Sequence, residues 1–232
     1  MQPNIEHKSD TYVIIVAGGS GTRMGSDIPK QFISIGGIPI LMHTIQKFFD
    51  FNNNINIVLV LPQSQISFWE NLCEKYDFAP KHQIIAGGNT RFQSVKNGLQ
   101  AIGGEGVVAI HDGVRPFVSL ETIAESFDVA KAKGNAVTHV KLKDSIRIID
   151  ENLQSKALDR NNYVLVQTPQ TFQIPLIKKA FENEENMAFT DDATVLEAIG
   201  EQINLTEGSY ENIKITTAED LHYAEYLLSK TF

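Results

Sequence analysis

The stretch Val13-Ile14-Ile15-Val16-Ala17-Gly18-Gly19-Ser20-Gly21-Thr22-Arg23-Met24-Gly25, followed by Pro29-Lys30-Gln31, decides how this chain is read. The opening run of β-branched apolar residues fits a strand buried on both faces. A glycine-rich turn follows at once. Glycines let the backbone approach a ligand closely and adopt positive φ, so successive N–H groups can line one concavity suited to phosphate oxygens. Arg23 and Lys30 place two cations just beyond it. No Gly-Lys-Ser/Thr closes the run, so it is not a P-loop. The third glycine of a dinucleotide fingerprint is replaced by Met24. Taken alone, the loop reads either as a triphosphate cradle or as a glycine turn with solvated cations.

The chain has 232 residues, 42% hydrophobic and 21% charged, which suits one large globular domain. Its 20 basic and 28 acidic residues give a net charge of −8, so a nucleic-acid-binding surface is not expected. In an acidic protein, a convergence of Arg and Lys marks a local anion site. The lone cysteine, Cys73, lies in a helical apolar pattern with Phe68, Trp69, Leu72 and Tyr76, and reads as core. The first ten residues lack an apolar signal region. No apolar run approaches the roughly 18 residues of a membrane span. Together these features predict a cytoplasmic protein without a membrane partner.

Outward from the first loop, apolar runs predict strands at 55–61, 83–86, 107–110 and 136–140. Amphipathic patterns predict helices at 64–76, over Phe92, Val95, Leu99 and Ile102, and at 120–133. Strands alternating with helices imply right-handed βαβ units and a mostly parallel sheet flanked by helices on both faces. Ligands in such sheets sit at the carboxyl ends of the strands. Three loops should therefore share one edge: Gly18 to Arg23, Gly87 to Arg91, and His111 to Arg115. The polar segment 141–162, with its Ile146-Arg147-Ile148 alternation and a turn at Asp150-Glu151-Asn152, reads as a β-arm leaving a single domain. Beyond it the pattern predicts a strand at 163–167 ending at Thr168-Pro169-Gln170 and a helix at 175–184. A helix capped by Thr190-Asp191-Asp192 and stopped at Gly200 follows. Short strands are expected at 203–205 and 213–215. A Thr216-x-x-Glu219 capping box should open the last helix.

At His111-Asp112-Gly113-Val114-Arg115-Pro116 the set becomes specific. The chain resembles the 2-C-methyl-D-erythritol 4-phosphate cytidylyltransferase family from Val13 to about Leu228. The resemblance rests on the ordered motifs Ala17 to Met24, Pro29-Lys30-Gln31, Gly87-Gly88 with Arg91 and Ser94, and Asp112-x-x-Arg115-Pro116. Asp144-Ser145, Asp159-Arg160, Thr168-Pro169-Gln170, Thr190-Asp191-Asp192-Ala193 and Asn212-Ile213-Lys214 complete the series. Two departures stand out. Gly113 and Val114 occupy positions often held by alanines, and Ser145 stands where the family often has threonine.

The resemblance implies a Rossmann-like α/β fold and a homodimer held by the arms. It implies transfer of CMP from CTP onto 2-C-methyl-D-erythritol 4-phosphate, with Mg²⁺. Arg23, Lys30 and Lys214 would be the catalytic cations. Ala17, Gly18, Gly19, Gly21, Gly88, Ser94 and Asp112 would bind CTP. Asp112, Arg115, Ser145, Arg160, Thr168, Thr190 and Lys214 would bind the acceptor, Arg160 mainly that of the other subunit. Asp112 would face the metal, and Arg115 would either grip the acceptor or orient Asp112. His111 is expected to pack at a strand end, and Asp191 and Asp192 to sit at a helix N-terminus. A relative acting on ribitol 5-phosphate is the alternative acceptor reading, since a methyl-scale difference gives little discrimination. A nucleotide-binding regulator would lack one of the cations. A dehydrogenase would need an acidic residue where Leu61-Pro62 stands.

Overall fold

The computed structural model describes residues 10–18 and 28–230. In chain order the first half carries β1 (Thr11–Val16), β2 (Ser34–Ile35), β3 (Ile38–Pro39), α1 (Ile40–Phe51), β4 (Asn56–Leu61), α2 (Ile66–Lys75), β5 (Gln83–Ala86), α3 (Arg91–Ala101) and β6 (Val107–Asp112). The second half carries α4 (Leu120–Lys133), β7 (Asn135–Lys141), β8 (Ile146–Ile149), β9 (Ser155–Leu158), β10 (Val164–Gln173), α5 (Ile174–Ala180), α6 (Asp192–Glu197), β11 (Leu205–Glu207) and α7 (Ala218–Ser229).

Seven strands form one sheet in the order β11-β7-β10-β6-β1-β4-β5. β10 runs against both its neighbours, and the other neighbours pair in parallel. Successive side chains of a strand point to opposite faces. Val13, Ile15, Ile57 and Leu59 thus enter one core with Leu41, Phe48, Trp69 and Phe127. Tyr12, Ile14, Val58 and Val60 enter a second core with Phe92, Val95, Phe172 and Ile177. That two-sided burial is why the strands read as unbroken apolar runs. Cys73 packs against the first core, and burial pushes its thiol up to about 11.

The parallel register brings Val16 opposite both Val60 and Asp112, and Leu61 opposite Ala86. Three backbone bonds then stitch the loops at that edge: Ala17 N–H to the Val60 carbonyl (3.0 Å), Gly87 N–H to Leu61 (2.8 Å) and Gly113 N–H to Val16 (2.9 Å). Ala17-Gly18, Gly87 and Gly113, where the three loops begin, share one edge as the pattern requires, while Gly19 to Arg23 of the first loop lie outside the described residues.

Several expectations need correction. The strand expected to end at Thr168-Pro169-Gln170 runs on to Gln173, through a cis Thr168–Pro169 bond and a break in register between Val166 and Gln170. The helix expected over 175–184 stops at Ala180, because a turn with a bond from the Glu182 N–H to the Lys179 carbonyl follows. The strand at 203–205 lies instead at Leu205–Glu207. No strand forms at 213–215; the segment is held by the Ile213 N–H bond to the Glu211 carbonyl (2.7 Å) and the Ile215 N–H bond to the Val114 carbonyl (3.0 Å). The last helix is capped by Thr217 and Asp220 rather than Thr216 and Glu219. The Asp220 carboxylate accepts from the backbone N–H groups of both Thr216 and Thr217, which fixes the register one residue later.

Candidate active site

Asp112 ends β6 at the middle of the loop-bearing edge, and it is 8% exposed. Its Oδ2 meets Arg115 Nε at 3.0 Å and Lys214 Nζ at 3.1 Å. Burial pushes this carboxyl up, but Lys214, Arg115 and Arg91 outweigh it and hold the group well below the usual carboxylate range. Arg115 also donates to the Asn212 carbonyl at 2.9 Å, which fixes the segment that delivers Lys214. In this structure, then, Arg115 orients Asp112. His111 is fully buried, and burial lowers its pKa to about 4. The neutral ring donates from Nε2 to the Arg115 carbonyl and accepts a hydrogen bond at Nδ1 from the Thr168 hydroxyl, each at 3.1 Å. Thr168 Oγ1 in turn accepts from the Asp112 N–H at 3.1 Å.

A cavity of about 330 Å³ opens on one side of Asp112, lined by Ala17, Gly18, Lys30, Gly88, Ser94 and Lys214 among others. Lys30 stands on a short 3₁₀ turn, Lys30–Phe32. The turn is anchored by Phe32, buried against Phe68 and Trp69, and by the fully buried Gln31. Gln31 donates to the Ala17 carbonyl at 2.8 Å, tying the lysine turn to the first loop. On the far wall the Gly87-Gly88 turn wraps the Ser94 hydroxyl, which accepts from Gly88 N–H at 3.1 Å and donates to the Thr90 carbonyl at 2.8 Å. A Cβ at Gly88 would come within 2.3 Å of the Gln93 Cβ, so only glycine fits there. Thr90 caps α3. The expected residues Gly19, Gly21 and Arg23 lie outside the described residues.

A second cavity of about 260 Å³ lies on the other side of Asp112, where Arg115, Thr168, Thr190 and Val166 line it. Arg91, Asp112 and Lys214 line both cavities. Sequence reasoning gave Arg91 and Asp192 no joint role. Arg91 grips Asp192 with two hydrogen bonds, NH1 to Oδ1 at 2.8 Å and NH2 to Oδ2 at 2.5 Å. Burial opposes the Arg91 charge, but Asp192 outweighs it and keeps the guanidinium firmly protonated. Asp191, as expected, caps α6, and it also accepts from Gln170 Nε2 at 2.8 Å. Asp192, as expected, opens α6 at its N-terminus, and its carboxylate is fully buried as the ion-pair partner of Arg91.

Ser145 and Arg160 line neither cavity. They are exposed at the base of the β8–β9 arm, where Arg160 NH1 donates to the Lys143 carbonyl. Among the described residues no group of three or more His, Cys, Asp or Glu is placed to hold a metal. Asp112 is the carboxylate at the border of the cavities, and one carboxylate completed by substrate phosphates suits Mg²⁺.

A Rossmann-like sheet with a glycine-lined cavity, cations and a carboxylate at its strand ends defines a nucleotidyltransferase. The family model of 2-C-methyl-D-erythritol 4-phosphate cytidylyltransferase, IspD, matches residues 11–230. The protein of that name from Phocaeicola vulgatus is 51% identical over 217 residues, covering 94% of this chain and 99% of the relative. Its counterpart from Clostridium novyi is 45% identical over 226 residues, covering 95% and 97%. Among solved structures, 4-diphosphocytidyl-2C-methyl-D-erythritol synthase from Anaerococcus prevotii superposes with a TM-score of 0.81 at 31% identity, covering 94% of this chain and 96% of that one. The Francisella tularensis cytidylyltransferase gives 0.79 at 34% identity, covering 94% and 99%. The chain belongs to the 2-C-methyl-D-erythritol 4-phosphate cytidylyltransferase family, and it moves CMP from CTP onto that acceptor rather than onto ribitol 5-phosphate.

Proposed function

We propose that the larger cavity receives CTP and the smaller one 2-C-methyl-D-erythritol 4-phosphate, so that the two meet at Asp112 and Lys214. The observation that carries this reading is the shared wall: Arg91, Asp112 and Lys214 line both cavities. An oxygen of the acceptor phosphate attacks the α-phosphorus of CTP in line. The new P–O bond forms as the bond to the β-phosphate breaks, and pyrophosphate leaves. The attacking oxygen belongs to a group already anionic at neutral pH, so no general base is required. What the protein must supply is alignment of two polyanions and counter-charge for the α-phosphoryl group.

Lys30 and Lys214, which both line the larger cavity, supply that charge, with Arg23 as the third cation. Ala17, Gly18, Gly19 and Gly21 form the backbone cradle for the phosphates. Gly88 and Ser94 form the turn on which the cytosine rests. Asp112, held ionised by its two partners, takes ribose and acceptor hydroxyls and would be the residue to hold a Mg²⁺, which when bound would offset triphosphate charge. Thr168, Thr190 and Arg115 bound the acceptor. The exposed arm, 141–162, meets a second copy in a homodimer, bringing Ser145 and Arg160 to the neighbour's acceptor. The described residues contain no helix long and apolar enough to cross a membrane. The lone, unpaired cysteine fits a reducing compartment. We place this enzyme, a single domain with an arm, in the cytoplasm.

Pyrophosphate release tests the assignment. Lys30→Ala and Lys214→Ala should each lower kcat by about 10²–10³, the range for loss of one transition-state charge contact. Their far-UV dichroism should match wild type. Near-normal turnover in either variant would remove that lysine from the mechanism.

A further inference from the structure

We propose that Val166 is the residue that recognises the methyl branch of the acceptor. The inference rests on placing the acceptor in the smaller cavity. Of the described residues lining that cavity, Val166 is the one apolar side chain; every other carries a charge, a hydroxyl or an amide. The acceptor has the same composition in miniature. It is a polyol phosphate whose phosphate and hydroxyls need donors and acceptors, with a single methyl group that needs neither. A polar wall can satisfy the hydroxyls, yet it gains nothing from the methyl and loses hydration where the methyl covers it. One apolar patch in such a wall therefore marks where the methyl is placed.

The local backbone explains why a valine is available there. Val166 is paired with His139 of β7 immediately before the register of β10 breaks, and pairing resumes with Gln170 opposite Val137. Such irregularities re-aim side chains beside functional sites. Across this one Gln167 and Thr168 turn inward, 8% and 5% exposed, while Val166 keeps 44% of its surface open. A β-branched side chain in a strand has few rotamers to lose, so its methyl groups form a fixed surface. Water on that surface is released when an acceptor methyl covers it.

The test is a three-by-two comparison of protein and acceptor. Wild type, Val166→Thr and Val166→Ala are assayed with CTP against 2-C-methyl-D-erythritol 4-phosphate and against D-erythritol 4-phosphate, which lacks only the methyl. Wild type should favour the methylated acceptor by roughly tenfold in kcat/KM, the usual value of a methyl-sized group in an apolar subsite. In Val166→Thr, which keeps the shape but adds a hydroxyl, that ratio should fall toward one, and in Val166→Ala it should fall part of the way. A loss of general stability or packing would lower both acceptors together and leave the ratio where it was. An unchanged ratio in both variants overturns the proposal. Thr168→Ala separates this failure from a wrong placement of the acceptor. If the cavity holds the acceptor, Thr168→Ala lowers kcat/KM for both acceptors by a similar factor. If it changes neither, the cavity assignment falls, and Val166 with it.

Discussion

His82 lies between two fixed partners. Its Nε2 is 2.9 Å from the Trp69 indole N–H, which can only donate, and its Nδ1 is 2.8 Å from the Pro80 carbonyl, which can only accept. The pair of partners demands a neutral ring with the proton on Nδ1. Burial lowers the His82 pKa below its usual value, with the Pro80 bond working weakly the other way. A group whose folded pKa is depressed binds its proton more readily in the unfolded chain. Stability is then complete above the unfolded value, about 6.5, and falls as acid is added below it. Urea unfolding at pH 7.5 and pH 5.5 should show that loss, and His82→Gln should reduce the difference between the two conditions. Equal loss in both proteins would assign the effect to other groups. The same reasoning at Asp112 has the opposite chemical purpose. There Lys214 and Arg115 keep a buried carboxylate charged, so the site is set with its charges in place before substrate arrives.

Elements tie such residues together over long sequence distances. α6 is only six residues long, too short to be stable by itself in water. It is held by its Asp191–Thr194 capping box, by Gln170 bonding both Asp191 and the Ala193 N–H, and by Arg91 gripping Asp192. The last contact spans 101 residues of sequence and joins the N-terminus of α3 to that of α6. Removing one partner of a buried ion pair strands the other charge. Arg91→Ala should therefore cost about 3 kcal/mol or more. The double variant with Asp192→Ala should recover part of that loss, because the stranded carboxylate is gone. Chemical denaturation of the four proteins checks the cycle, and strictly additive losses would deny the coupling.

This pair also shows what the sequence could and could not reveal. Asp112 was legible because it closes a buried apolar run at a strand end, and Lys30 because it follows a glycine loop. Arg91 and Asp192 were seen one by one, but only tertiary packing makes them partners. Gln31 looked like part of a motif, and its burial gives it a different task, anchoring the Ala17 carbonyl. The segment at 213–215 alternates like a strand, yet its apolar residues serve a third small core with Ile35, Ile40, Val114 and Ala224 rather than a ladder. Periodicity reports which side chains are buried; it does not say what buries them.

At the scale of the whole molecule the arm is the unfinished part. β8 and β9 pair only with each other, and a two-stranded ribbon is marginally stable in water. Its turn is closed by Asp150, whose carboxylate accepts from the N–H groups of Asn152 and Gln154. Yet Ile148, Ile149 and Leu153 are 57%, 62% and 83% exposed, with Leu165 at 54% in the adjoining strand. Apolar surface grouped on a protruding ribbon calls for a cover, and the homodimer proposed above supplies one. The root of the arm is joined to the active site. Tyr210 donates its hydroxyl to the Lys141 carbonyl at 2.8 Å, and the Lys143 ammonium lies 3.5 Å over the Tyr210 ring. From Tyr210 the chain leads through Asn212, held by Thr168 and Arg115, to Lys214. A shift of the arm thus bears on the lysine at the border of the two cavities. The double variant Ile149→Asp, Leu165→Asp places charge on that apolar surface without disturbing a buried side chain. It should sediment as a monomer where wild type sediments as a dimer, keep its melting behaviour in the sheet, and lose at least about tenfold in kcat/KM for the acceptor, the cost of about one lost contact worth 1.4 kcal/mol. A monomeric wild type, or a monomeric variant with full turnover, would show that the arm serves neither assembly nor the site.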